Sequence, residues 1–337
     1  MSRAQLTSTV EQNTGGAAAP VVAGKNFLAN GGFDIWQRGT TGFGTTQTYN
    51  ADRWFSSYNV GTVTISQQTT GVPAGATYCL RATNGAASSI SQQRQFLESG
   101  MANSLAGQTV TFSVKLRRNS TFAANIAIGI YKNSTANTST GGTWSLISNV
   151  LVVNSSLPTG TGSSNWYTAT LTVAIPNDGT AAGIAVAIEP QSTDASGAYW
   201  EMAQAQLELG SVATPFSRAG GTLQGELALC QRYYYRQTAQ TAYSLFGSGI
   251  AYSTTAINGY VKFPITMRTA PASLDISSNL GVYDGANLIS ATFALNTLNT
   301  LDIGSVIATS SGLTQWRPYH FISNNSTSSY FGFSAEL

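Results

Sequence analysis

The stretch GQTVTFSVKLR (residues 107 to 117) alternates along its whole length. Val110, Phe112, Val114 and Leu116 fall on one side, with Thr109, Thr111, Ser113, Lys115 and Arg117 on the other. A side-chain period of two belongs to an extended strand with one face toward a core and the other toward water; a helix would scatter these residues around its axis. The same pattern returns in NIAIGIY (Ile126, Ile128, Ile130) and in WYTATLTVAIP (Tyr167, Ala169, Leu171, Val173, Ile175), which Pro176 ends. GIAVAIEP and EMAQAQLELG complete the set, and in the second Ala203, Ala205, Leu207 and Leu209 oppose Gln204, Gln206 and Glu208. Gly, Asn and Ser clusters separate the runs. Strands of this kind are half buried and antiparallel, so the fold class expected is all-β, with two sheets packed face to face as a sandwich.

The ends of the chain read differently. Residues 1–25 hold no aromatic side chain and no sustained period, the composition of an arm rather than a core. TLQGELALCQRYYYR (222 to 236) is the persuasive helix: Leu223, Leu227, Cys230 and Tyr234 recur at i, i+4, i+7 and i+11, and Thr222 is placed to cap its start. That apolar stripe is expected either to lie on the sandwich or to form an oligomer seam between chains. Beyond it, GYVKFPITM, SATFAL and SYFGFSAEL return to strand patterning. The organisation expected is an arm (1–25), a sandwich (26–218), a linking helix (219–240) and a second, smaller β-domain (241–337).

Charge narrows the function. Only 9% of residues are charged, against about 25% in an average soluble domain, and the net charge of +2 offers no basic face for nucleic acid. Cys79 and Cys230 stand far apart in apolar or aromatic company and read as reduced core thiols. No run approaches the ~18 to 20 apolar residues of a membrane span, and MSRAQLTSTVEQ lacks the order of a signal peptide. Synthesis in a reducing cytosol without membrane insertion is the expectation.

NFLANGGFDIWQRGTT (26 to 41), YNADRWF (49 to 55), AQLELGSVATPFSR (205 to 218), ELALCQRYYYR (226 to 236), VKFPITMRTAPAS (261 to 273) and FGFSAEL at the end carry a family resemblance. In this order and at similar spacing they resemble a family of phage and prophage tail-fibre-like virion proteins. The opening N-x-x-x-N-G-G-F, the GQTVTFSVKL strand and the closing QLELG strand also resemble jelly-roll carbohydrate-binding modules. The resemblance runs from Asn26 to Leu337. It implies a jelly-roll β-sandwich in a virion structural protein, usually oligomeric and here expected as a homotrimer, with residues 1–25 docking to other virion proteins. Such a jelly-roll either binds a host-surface glycan or serves as a rigid spacer, so the function expected is host-surface adsorption, with decoration of the particle or glycan depolymerisation as alternatives.

No catalytic constellation stands out. His320 is the only histidine, set in the aromatic WRPYHF, and no acidic pair has a recognisable catalytic spacing, so the protein is expected not to be an enzyme. Asp34, Trp36 and Arg38 at period two would share a face, and Asp52, Arg53 and Trp54 offer a matching set. Crossed pairs, Asp34 with Arg53 or Asp52 with Arg38, would lock one end of the sandwich through bidentate bonds. Glycan stacking requires exposed aromatic faces, and Trp144, Trp166, Trp200, Trp316, Tyr319 and Tyr58 flank Gly-, Ser- or Asn-rich loops. No cofactor is called for; Asp34, Glu201 and Glu208 are the carboxylates that could hold the structural calcium of some jelly-rolls.

Overall fold

The structure is a computed structural model that describes residues 24–42, 47–58, 61–86, 91–160, 162 and 165–337. The expected arm lies outside the described residues, apart from Gly24 and Lys25. In chain order the first part holds β1 (Thr41–Gly42), β2 (Thr48–Tyr49), β3 (Phe55–Tyr58), β4 (Val63–Gln68), β5 (Cys79–Asn84) and β6 (Ser91–Leu97). A short helix α1 (Ser99–Leu105) precedes β7 (Thr109–Arg118), β8 (Ile126–Asn133), β9 (Ser145–Val152), β10 (Tyr167–Ala174), β11 (Gly183–Pro190) and β12 (Tyr199–Leu209). These strands form two six-stranded sheets, ordered β1-β4-β5-β12-β7-β10 and β2-β3-β6-β11-β8-β9. Strands late in the chain thus pair between early ones in each sheet, and the result is a jelly-roll β-sandwich.

The alternation decides what lies between the sheets. Val110, Phe112, Val114 and Leu116 from β7 meet Ile126, Ile128 and Ile130 from β8, with Ala169 and Leu171 from β10, in one core. β12 departs from the expected register. A bulge between Ala203 and Gln206, with Gln204 at a φ of 50°, resets the period. Trp200, Met202, Ala205 and Leu207 then point inward, and Leu209 is left exposed. β11 departs too, being buried along its whole length, because Phe55, Phe96 and Trp144 pack over its outer face around Ala185.

The opening and closing segments are stitched to each other. Asn26 donates to the carbonyls of Ala205 (3.0 Å) and Ser217 (3.1 Å) and accepts from the N–H groups of Leu28 and Leu207. Gly31 passes so close to β12 that a Cβ there would stand 2.1 Å from the Ala205 carbonyl oxygen.

Helix α2 (Leu223–Gln231) begins at Thr222, whose side chain accepts from the Gly225 N–H. It is shorter than the sequence pattern suggested. Tyr234 lies in strand β13 (Tyr234–Thr238), so it cannot extend a helical stripe, and the seam is further broken because Leu223 is exposed while Cys230 is fully buried inside the chain. The side chain of α2 that turns inward with Cys230 is Glu226, which accepts from the backbone N–H groups of Asn30 and Gly220.

After β13 come β14 (Leu245–Ala251), β15 (Ala256–Lys262), β16 (Ser273–Ile276), β17 (Leu280–Tyr283), β18 (Leu288–Ser290), β19 (Thr292–Leu295), β20 (Ile303–Thr309), β21 (Pro318–Ser323) and β22 (Tyr330–Ser334). A seven-stranded sheet, β18-β17-β21-β14-β15-β20-β19, faces a three-stranded one, β13-β22-β16, over an aromatic core that includes Phe246, Phe263, Phe321, Phe331 and Phe333.

Candidate functional site

The three-stranded sheet spends one face on that core and turns the other toward the jelly-roll. Register places Tyr234 opposite Ser334 and Ser334 opposite Ser273; one step on, Arg236 is opposite Gly332 and Gly332 opposite Asp275. Period two then gathers Tyr234, Arg236, Ser273, Asp275, Gly332 and Ser334 on a single face. Gly332 is required there, since a Cβ would stand 2.8 Å from the Tyr234 hydroxyl oxygen. Without it the tyrosine crosses β22 and donates to the Asp275 carboxylate at 2.5 Å. Burial, with Arg38 opposing and Asp275 adding to it, drives the Tyr234 hydroxyl far above the usual phenol range, so it stays a donor.

Arg38, Thr48 and Tyr49 of the jelly-roll close the other side, leaving a crevice of about 420 Å³ to which Tyr330 adds a third tyrosine ring. The Arg38 guanidinium lies 3.5 Å from the Tyr234 ring centroid, and that of Arg236 lies 3.4 Å from the centroid of Tyr330. Gln37 fixes the walls against each other, donating to the Tyr234 carbonyl (2.7 Å) and accepting from the Arg236 N–H (3.3 Å).

Behind the crevice the expected crossed pairs are absent, because each charge has found a different partner. Asp34 takes a bidentate pair from Arg218, at 2.7 and 3.0 Å. Arg53, at a φ of 71° and 2% exposed, stacks 3.5 Å from the Tyr233 centroid, donates to the Phe96 carbonyl (2.7 Å) and pairs with Glu336. Burial alone would lower the Arg53 guanidinium, yet Glu336 and two tyrosines hold it above its ordinary value. Arg38 reaches the same Glu336 at 3.4 Å. Asp52 instead accepts from the Gln37 N–H at 2.9 Å and from the Gln37 side chain; burial pushes its carboxyl up to about 6, against the opposing pull of Arg38. Asp34, Trp36 and Arg38 do not share a strand face, since Phe33 just before them has a φ of 56° and the segment is irregular. Trp54 is completely buried, whereas Trp36 is only partly so and donates to the Phe33 carbonyl at 2.8 Å.

The aromatic residues expected to stack on sugar are not brought together. Trp200 and Tyr319 are each 1% exposed, core members with no free face. Trp144 packs 5.1 Å from Phe96, and Trp166 is covered by Arg117 at 4.4 Å while donating to the Gly71 carbonyl. Trp316 stands open at 72% exposure, and the side chain of Tyr58 lies outside the described residues. The carboxylates considered for calcium are engaged elsewhere: Glu201 by Arg81 and Arg117, Glu208 by Lys25 and Thr214, Asp34 by Arg218. Among the described residues no group of three or more His, Cys, Asp or Glu is placed to hold a metal ion. Sequence reasoning missed the crevice tyrosines, Arg236 and Asp275; the signal available was the Tyr-Tyr-Tyr-Arg run, where a strand's alternation competes with a helix's period.

No protein-family model and no curated protein matches the sequence. Among solved structures, the chain is similar to the enzymatically active domain of tailspike protein 4 of bacteriophage CBA120 (11% identity over 55% of this chain and 22% of that one, TM-score 0.36). It thus spans about a fifth of that tailspike chain. It is also similar to TmCBM61, solved with β-1,4-galactotriose (12%, 55% and 99%, TM-score 0.34), and to the CBM22-1 xylan-binding domain of Paenibacillus barcinonensis Xyn10C (14%, 58% and 100%, TM-score 0.31).

Proposed function

We propose that the protein is a non-enzymatic virion component of a bacteriophage, a tail fibre or similar appendage, that attaches to a host-surface glycan through the crevice between its jelly-roll and its three-stranded sheet. The observation that carries the binding part is the lining itself: the partly exposed rings of Tyr49 and Tyr330, with the buried Tyr234 behind them, beside Arg38, Arg236, Asp275 and the hydroxyls of Thr48, Ser273 and Ser334. A sugar offers an apolar C–H face and a rim of hydroxyls. Tyrosine rings suit the first, and guanidinium donors with a carboxylate acceptor suit the second. A few hundred Å³ with convergent polar groups is also the usual scale of a small-ligand site. Asp275 is the one carboxylate in the lining, whereas glycoside hydrolysis uses a pair. The crevice is therefore read as holding a glycan rather than cutting it.

Support for the virion assignment is the order and spacing of the motifs from NFLANGGFDIWQRGTT to FGFSAEL. In this reading residues 1–25 dock the subunit to other virion proteins, and the working assembly is a homotrimer. Purified protein incubated with host surface polysaccharide is expected to co-sediment with it and to release no new reducing ends. Tyr330→Ala is expected to weaken that binding at least tenfold. New reducing ends would make the protein a depolymerase, and absence of binding would leave a decorative role.

A further inference from the structure

We infer that the crevice selects an acidic glycan, one whose sugar carries an anionic substituent such as a hexuronic carboxylate, with Arg236 as the residue that reads the charge. The inference rests on the glycan-binding reading above. Among the described residues the other arginines all have a protein acceptor: ion pairs engage Arg38, Arg53, Arg81, Arg94, Arg117, Arg218, Arg232 and Arg317. Backbone carbonyls serve Arg118 and Arg268. The Arg236 guanidinium alone has neither, and its Nε is shielded from solvent without any partner. What holds it is the ring of Tyr330 beneath. A stacked guanidinium is fixed in plane with its donor edge uncommitted, the arrangement that suits a bidentate acceptor. In a chain with 16 basic and 14 acidic residues, a lone half-buried cation in a crevice is an exception to the pairing seen elsewhere.

The remaining charges orient the ligand. Arg38 already shares Glu336 with Arg53, so one carboxylate serves two guanidiniums on that side. Asp275 would repel an anion, but its carboxylate is turned to the hydroxyls of Tyr234 and Tyr330, and its backbone stands two strands from Arg236, across Gly332. The anionic group therefore belongs at the Arg236 and Arg38 end. Asp275, with Ser273 and Ser334 on its own face, takes hydroxyls of the same sugar or the next. Asp52 lies behind Gln37 and does not line the space.

The test compares matched ligands on the full-length protein. Oligosaccharides of galacturonic acid, glucuronic acid and N-acetylneuraminic acid would each be titrated beside their carboxyl-reduced counterparts, with inorganic phosphate as a competitor. At least one acidic oligosaccharide is expected to bind tenfold or more tightly than its reduced form. Arg236→Gln should erase that difference, and Arg236→Lys, which keeps the charge without the planar fork, should restore only part of it. Competition by phosphate at concentrations near the oligosaccharide's own overturns the inference, since the site would then take any small anion rather than an acidic sugar. Equal binding of acidic and reduced forms overturns the inference and leaves glycan binding standing. Binding of neither form overturns both. The paired comparison uses the parent protein, so it holds even where a variant fails to fold.

Discussion

Glu336 neutralises two guanidiniums, and its own side chain is only 6% exposed. Removing one partner of a buried pair strands the other, and the penalty for the stranded ion outweighs whatever the pair contributed net. Glu336→Ala is therefore expected to destabilise the protein by about 3 to 5 kcal/mol, read as a lower urea midpoint; a midpoint within error of the parent would mean that the Arg53 stack on Tyr233 and its bond to Phe96 suffice. Asp52 gives a second test, through pH. Its carboxyl holds a proton more tightly folded, at about 6, than unfolded, so the native state binds more protons in that window. Stability from this group is thus highest below the unfolded pKa of about 4 and is lost as pH rises through about 6, by up to about 3 kcal/mol in total. Measured against an Asp52→Asn variant, in which every other group is common and cancels, the parent should lose ground steadily from pH 4 to pH 6.5. A constant difference would show that Gln37 satisfies the ionised form fully. Neither effect was legible in the sequence. Asp34, Arg38, Asp52 and Arg53 stand out as a charged cluster, but Arg218 and Glu336 lie far along the chain, and Gln37, inside the cluster itself, is uncharged and so is passed over when charges are matched with charges.

The elements show where periodicity suffices and where it competes with itself. β7, β8 and β10 follow their alternation because the irregularities in their ladders put the extra residue on the partner strand, β12 for β7 and β9 for β8, and in β12 that single bulge residue moves the inward set by one. α2 and β13 present the opposite difficulty. Tyr234 satisfies a helical i+11 spacing and also the first position of a strand, and pairing with β22 decides for the strand. α2 itself is held by contact rather than by propensity. Gly225 and Gly220 approach so closely that a Cβ on Gly225 would stand 2.2 Å from the Gly220 carbonyl oxygen. In an isolated helix, alanine in place of glycine would stabilise by about 1 kcal/mol. Here the sign should reverse: Gly225→Ala is expected to cost about 1 to 3 kcal/mol, the range for overpacking, in chemical denaturation. A stabilised variant would show that α2 can shift away from residue 220 without losing the Glu226 contacts to Asn30.

At the scale of the whole molecule, the crevice is assembled from residues near 38, 49, 235, 274 and 332, drawn from both parts of the chain. Local patterning carries strand or helix, inside or outside, and so the two sheet systems could be anticipated. It carries no information on which faces of separate domains will meet. One consequence follows from the distance along the chain between Arg53 and Glu336, which are 283 residues apart. Synthesis runs one way, and at bacterial to eukaryotic elongation rates that interval lasts roughly 15 to 60 s. In that interval the strands from β3 to β12 emerge while the Arg53 guanidinium has no Glu336 carboxylate to enter the interior with. The loop at 50–54 must then stay in water, by the free energy that Glu336→Ala measures, until residue 336 arrives. A chain that stops short of residue 336 lacks the carboxylate shared by Arg38 and Arg53, and so leaves two guanidiniums without their counter-charge beside the crevice.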